Sequence, residues 1–300
     1  MGLIIRPVDL DRDLEQVLAV REEGKGALTP PEQFRRWLDG LVGFSLHLAG
    51  EEEGRIVAVA LVSEASFARD ALAVRLRVLR EHRGRGLGRL MWARIEDAVR
   101  ERSPAALEAV VLDDDPASRA WAERRGFRLF DHQFRSQLDL ETFDASAHQA
   151  VVRAAEAAGI RFEPSDDLYR VYRMYGRMVE AAPDVVVVPP RDYLDRELGG
   201  PDVLRLVAVD GDRWVGLTIL QQVTPELAWN AITGVVPSHR GRRLARALKV
   251  LAAEDARRRG VRWIATRNNA RNAPMLAVNE ALGYQREFGE WRMRKELRSG

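Results

Sequence analysis

Glu81-His82-Arg83-Gly84-Arg85-Gly86-Leu87-Gly88 and Ser238-His239-Arg240-Gly241-Arg242-Arg243-Leu244-Ala245 are the two stretches from which the fold is read. Each follows an apolar run with strand character, Leu72–Leu79 or Leu227–Val236. Each leads into apolar residues at helical spacing, Leu87, Met91 and Ile95 in one case and Leu244, Leu248 and Leu251 in the other. A strand that enters a glycine-rich turn and opens a helix gathers unpaired backbone N–H groups at the positive end of the helix dipole. That is a site for an anion of pyrophosphate size. The glycines run G-x-G-x-G and no Gly-x-x-x-x-Gly-Lys occurs, so neither a dinucleotide fold nor a P-loop NTPase is indicated.

Arg83 and Arg240 stand 157 residues apart, and the same offset carries Leu87 to Leu244, Met91 to Leu248, Gly126 to Gly283 and Phe127 to Tyr284. One offset held over this span marks a tandem duplication, read as residues 1–142 and 143–300. Each copy reads as α/β. In the first, strands are expected at Leu3–Val8, Phe44–Ala49, Arg55–Ser63, Leu72–Leu79, Ala109–Leu112 and Phe134–Leu140, with helices at Asp11–Glu23, from Leu87 to about Arg102, and at Pro116–Arg125. In the second, strands are expected at Val203–Val209, Trp214–Val223, Leu227–Val236 and Trp263–Thr266, with helices from Leu244 and over Asn272–Leu282. Glu141–Glu163 reads as the link, helical over Ala147–Ala158 and stopped by Gly159.

Three hundred residues suit two domains at roughly 150 each. With 46% hydrophobic and 31% charged residues the chain can bury a core. No apolar run approaches the ~18 residues of a membrane span, and MGLIIRPV has no basic n-region, so a cytoplasmic protein without a membrane partner is expected. The absence of cysteine removes disulfides, thiolate metal sites and a cysteine-bound acyl intermediate. The five histidines show no metal-ligand spacing, so no metal is expected. A net charge of +2 and few aromatics among the arginine clusters argue against a nucleic-acid partner. Of the 47 basic residues only Lys25, Lys249 and Lys295 are lysines. A GC-rich genome is the plain reading, and guanidinium groups suit phosphates.

The order of elements and the spacing Arg83-x-x-Gly86-x-Gly88 resemble motif A of the GNAT superfamily of N-acyltransferases. Arg240-x-x-Arg243-x-Ala245 is similar, with arginine for the middle glycine. The family's later Asn-x-x-Ala and Gly-Phe segment is similar to Asn272-x-x-Met275 with Asn279 and Gly283-Tyr284, and to Asp115-x-x-Ser118 with Ala122 and Gly126-Phe127. Two such copies resemble the tandem arrangement of mycothiol synthase-like proteins. The resemblance implies two GNAT-like domains, each a central mixed β-sheet flanked by helices with a splayed strand pair at the CoA site. It implies an acyl-CoA-dependent N-acyltransferase, acetyl-CoA first among the co-substrates, acting by direct transfer on a small-molecule or peptide amine.

By position, the backbone of Arg83, Gly84, Arg85, Gly86, Leu87 and Gly88, and of Arg240, Gly241, Arg242, Arg243, Leu244, Ala245 and Arg246, would hold the CoA pyrophosphate. Val235 and Val236 would lie on the splayed strand, one amide donating to the thioester carbonyl. Asn272 would bond the pantetheine arm or its neighbouring backbone. Many family members place a tyrosine four residues before the glycine as general acid. Ala122 stands there in one copy and cannot donate; Asn279 stands there in the other and can only hydrogen-bond. Asp115 brings a carboxylate toward an anionic ligand. The second copy, with Asn272, Asn279, Thr266 and Asn268, is therefore read as the catalytic one.

Glu226 is named as a candidate base, with a surface glutamate the plainer reading. Asn230 and Thr233, by period-two spacing, are expected on opposite sides of their strand. Arg243 is expected at a helical φ near −60°. Tyr169, Tyr172 and Tyr175 read as packing on one side of a helix, and Pro189–Pro190 as a loop that could cover an acceptor site. A CoA-binding module with little turnover is the alternative function. The acceptor, the acyl length, and the choice between a monomer of two packed domains and a homodimer stay open.

Overall fold

The computed structural model describes residues 3–23, 30–39, 41, 43–64, 71–180, 191, 195 and 198–297. Two compact units emerge: Met1–Asp131 with Glu290–Gly300, and His132–Gly289.

The first unit contains β1 (Ile4–Pro7), α1 (Leu10–Glu22), α2 (Pro31–Asp39), β2 (Ser45–Glu52), β3 (Arg55–Glu64), β4 (Ala71–Val78), α3 (Leu87–Arg102), β5 (Ala106–Leu112) and α4 (Pro116–Glu123). Strands run in the order β1-β2-β3-β4-β5, antiparallel except for parallel β4–β5. Ile56-Val57-Ala58-Val59-Ala60 of β3 is an unbroken apolar run because both faces of the strand are covered. Val57 and Val59 pack with Val17 and Leu18 of α1, and with Phe34 and Leu38 of α2. Ala58, Ala60 and Val62 pack with Met91, Trp92 and Ile95 of α3. Met91 and Ile95 are fully buried, each side chain contributing about 1.5–3 kcal/mol by burial.

The second unit repeats this plan with α5 (Gln149–Ala157), β7 (Ile160–Pro164), α6 (Leu168–Glu180), β8 (Val203–Asp210), β9 (Arg213–Gln222), β10 (Leu227–Val235), α7 (Leu244–Arg258), β11 (Trp263–Asn269) and α8 (Ala273–Ala281). It is entered through β6 (Arg128–Asp139), and its strand order is β7-β8-β9-β10-β11-β6. Among its described strand pairs, β10–β11 alone is parallel.

The compact units do not divide at 142/143. A last strand, β12 (Gln285–Glu296), which the sequence reading omits, pairs its residues Glu290–Glu296 with β5 in the first unit. Conversely, Gln133–Asp139 of β6 pairs with β11 in the second. Hydrogen-bonded ladders, not the repeat boundary, define the units. The expected link Glu141–Glu163 is likewise part of the second unit: Val152 and Ala155 of α5 are core residues, and Ile160–Glu163 pairs with β8. Of the three tyrosines, Tyr172 and Tyr175 pack on the core while Tyr169 is exposed. Pro189–Pro190 lies outside the described residues.

Candidate functional site

In the first unit β4 and β5 pair only over Ala71–Val74 and Ala106–Ala109, then part to leave a V-shaped gap. The Leu79 N–H donates to the Val57 carbonyl on β3. Alternate N–H groups of an antiparallel strand point to opposite edges, so the amides of Leu76 and Val78 face the gap. The loop that follows takes Gly84 and Gly86 through the left-handed region, at φ 78° and 86°. A Cβ at Gly84 would meet nothing, so backbone conformation rather than space calls for glycine there. The amide of Arg83 is spent on Arg80 O and that of Arg89 on Gly86 O. Gly84 to Gly88 is therefore the run of amides left to face a ligand, and Arg83 drops out of it.

The side chain of Arg83 does other work. Its Nε donates to Val78 O at 3.0 Å and its Nη1 to Asp115 Oδ2 at 2.8 Å, tying loop, strand end and the start of α4 together. Asp115 caps α4, accepting from the Ser118 amide at 3.0 Å and hydroxyl at 2.8 Å. Burial opposes its charge, yet the Ser118 donors and the Arg83 guanidinium hold its carboxyl below the usual range. The expected repulsion between Asp115 and an anionic ligand is thereby corrected, because the charge is already matched. A cleft of about 860 Å³ follows the V and the loop, walled by Leu76, Val78, Trp92, Ala109, Trp121 and Phe127.

The second unit has the same V: β10 and β11 pair over Leu227–Trp229 and Trp263–Ala265 and then diverge. The Val236 N–H donates to Val215 O at 2.9 Å. Val236 is therefore unavailable to a ligand, and by alternation the amides of Val235 and Thr233 face the gap. The Arg240 amide is spent on Pro237 O, which leaves Gly241 to Arg246, while Arg240 Nε donates to Val235 O at 3.2 Å as Arg83 does to Val78. Arg243 sits at φ 61°, not near −60°. It follows the path of Gly86 before the helix, a conformation that costs a non-glycine residue about 1–2 kcal/mol. The histidines before each loop pin it to a hairpin end: His82 to Glu52 at 3.0 Å, His239 to Asp210 at 2.9 Å. That accounts for both without chemistry.

At the apex of the second V lies a buried polar network. A β-bulge between Asn230 and Ile232 resets the alternation, so Asn230 and Thr233 share a face rather than opposing each other. Thr233 Oγ1 donates to Asn230 Oδ1 at 3.0 Å, Asn230 Nδ2 donates to Thr218 Oγ1 at 3.0 Å, and Thr266 Oγ1 on β11 donates to Asn230 O at 3.1 Å. Lys249 Nζ donates to Asn230 Oδ1 at 2.6 Å and lies 4.7 Å from the Tyr284 ring centre. Burial pushes the Lys249 ammonium down to about 7 and raises the Tyr284 hydroxyl. From the sequence Lys249 is noted only as one of three lysines, and Thr233 only as a strand residue opposite Asn230. The available signal was a lysine beside Leu248, on the buried side of a helix in a chain that otherwise uses arginine.

The remaining expected residues are placed less centrally. Asn279 is buried, with Nδ2 donating to Asn268 Oδ1 at 2.6 Å and Oδ1 without a hydrogen-bond partner among the described residues. Asn272 caps α8, accepting from the Met275 amide at 3.3 Å. Glu226 is exposed beyond the paired end of β10, about 13 Å along the strand from Asn230 at 3.3 Å per residue. Its backbone carbonyl accepts from Arg262 and Trp263. As a base for chemistry in the V it is ruled out by that distance. Among the described residues no group of three or more acidic or histidine side chains is placed to hold a metal.

A splayed parallel strand pair with a left-handed loop opening a helix, present twice, defines the class: an N-acyltransferase fold that takes its acyl group from CoA. The acetyltransferase (GNAT) family model matches residues 14–127 and 167–284. The chain belongs to that family, in a tandem arrangement, and is an enzyme of the N-acetyltransferase class. A tandem GNAT protein from the clavulanic acid biosynthesis pathway shares the fold at TM-score 0.76 and 22% identity, with 100% of each chain covered. A GCN5-related N-acetyltransferase from Sphaerobacter thermophilus does so at 0.77 and 21%, covering 99% of this chain and 96% of that one. Comparison with curated proteins finds no match.

Proposed function

We propose that the chain transfers an acyl group, acetyl in the first instance, from acyl-CoA directly to the amine of a small molecule or peptide, and that the second unit carries the transfer. One observation supports the choice of unit. Both strand pairs part in the same way, but the second has Asn230, Thr233, Lys249 and Thr266 where the first has Val74, Leu76, Trp92 and Ala109. A buried polar network opposes folding unless its groups are satisfied or used, and reaction at a thioester needs polar groups where acylation occurs.

The amides of Gly84–Gly88 and Gly241–Arg246 would hold pyrophosphates, and the glycine loop of the first unit is open enough to admit one. The Thr233 and Val235 amides would bind the pantetheine arm and the acyl carbonyl. Acyl-CoA, when bound, supplies the thioester. With no cysteine in the chain the amine attacks it directly. The acceptor is read as a small-molecule or peptide amine met in the cytoplasm, with no nucleic-acid or membrane partner. Ala122 and Asn279 offer no strong proton donor, which favours, as a second reading, a CoA-binding module with little turnover. Thiol release from acetyl-CoA over an amine panel, run beside a calorimetric CoA titration, tests both. Amine-dependent release supports transfer; binding with no release across the panel supports the module.

A further inference from the structure

The repeat provides an internal control for one side chain. At the shared offset Lys249 corresponds to Trp92, Tyr284 to Phe127, Thr266 to Ala109 and Thr233 to Leu76. Those four residues of the first unit line its cleft together. Their counterparts in the second unit therefore form the same wall of its V, with the Lys249 amine at the apex where β10 and β11 part. From Asn230 to Val235 the strand spans about 17 Å, a length suited to an extended pantetheine arm whose pyrophosphate lies on the loop. An acyl group at the far end of such an arm would lie beside Nζ.

From this placement we propose that Lys249 is a self-acylation site: with acyl-CoA in the second V, the acyl group passes to Lys249 Nζ. The proposal rests on the reading of the second unit as a CoA site. The Nζ lone pair attacks the thioester carbonyl carbon, a C–N bond forms, and the C–S bond breaks. The sulfur leaves as thiolate and takes up the proton that Nζ gives up. The products are an Nε-acyl-lysine and free CoA, and the new amide N–H can still donate to Asn230 Oδ1.

The surroundings keep the amine competent. Its neighbours are Asn230, reached by Thr233, and the Tyr284 ring, whose hydroxyl burial holds neutral. Desolvation is the one cause acting on it, with no carboxylate holding the proton among the described residues. An arginine at this position would be neither neutral nor nucleophilic.

The test incubates the full chain with acetyl-CoA and no amine acceptor, then maps acetyl groups on its three lysines by peptide mass spectrometry. Lys249 is expected to be labelled at least tenfold faster than Lys295. Its rate should rise about tenfold from pH 6 to pH 8 as the amine loses its proton. Labelling is lost in Ala245→Trp, which fills the loop. As a readout independent of acyl transfer, CoA itself should protect Lys249, but not Lys295, from reductive methylation. Calorimetry on the same sample separates the failures. CoA bound to the second unit with Lys249 unlabelled overturns this inference alone. Labelling unchanged in Ala245→Trp overturns it as well. No CoA binding at the second unit overturns the underlying reading and this inference with it.

Discussion

Lys249 and Asn230 meet at 2.6 Å, a buried amine donating to a buried amide oxygen. The pair has consequences for stability apart from any chemistry. An unfolded lysine binds its proton up to its ordinary value of 10.5, whereas in the fold burial lowers this to about 7. Between those values the unfolded state holds more protons, so stability rises with pH there; below about pH 7 the penalty is present in full. Lys249→Met should therefore melt above the wild type at pH 6, by an increment worth up to about 5 kcal/mol, with the margin shrinking toward pH 10. Thermal melts of both proteins across that range check it. A margin independent of pH would show that the amine is not held neutral.

The left-handed Arg243 predicts opposite effects in the two loops. Arg243→Gly should stabilise the protein by up to about 1 kcal/mol through relief of backbone strain. Gly86→Ala, with no steric obstacle nearer than Arg89 Nη2 at 3.6 Å, should cost about the same. Denaturant titrations of the two variants measure both signs.

Asp115 should act as a cap and clamp. Asp115→Ala removes the acceptor for the Ser118 amide and is expected to cost about 1 kcal/mol. Asp115→Asn keeps the cap and loses only the partly exposed pair with Arg83, a loss below about 1 kcal/mol. Equal losses for the two substitutions would show that the ion pair, not the cap, carries the stability.

How far this was legible in the sequence divides along physical lines. The loops and their helices are local features, set by glycine and apolar spacing, and they read directly from Arg83–Gly88 and Arg240–Arg246. The partition into units did not, because β12 pairs with a strand more than a hundred residues earlier and its alternation is broken by Phe288-Gly289-Glu290. Asn230 and Thr233 misled because a bulge shifts the face of a strand by one residue and leaves no composition signal. Lys249 was legible as a lysine on the buried side of a helix in a chain that otherwise uses arginine, and through the repeat, where the other copy has tryptophan. Glu226 was chosen by residue type, and distance along β10 removes it.

CoA recognition is expected to depend on the 3′-phosphate, given the arginines beside both loops. Dephospho-CoA should bind at least several-fold more weakly than CoA in calorimetric titrations at matched salt. Equal affinities would place the arginines outside the binding site.

The central claim, that the second unit performs acyl transfer, is tested most directly by comparing Ala245→Trp with Gly88→Trp in amine-dependent thiol release from acetyl-CoA. The melting temperatures must be matched, because either tryptophan could damage packing. The Cβ of residue 88 would meet Trp121 and Val78 no closer than 3.8 Å, so the new ring has room to occupy the first cleft. Ala245→Trp is expected to lower turnover at least a hundredfold, and Gly88→Trp to remove one CoA per chain from the titration while transfer continues. Transfer abolished in a well-folded Gly88→Trp protein and intact in Ala245→Trp would contradict the account.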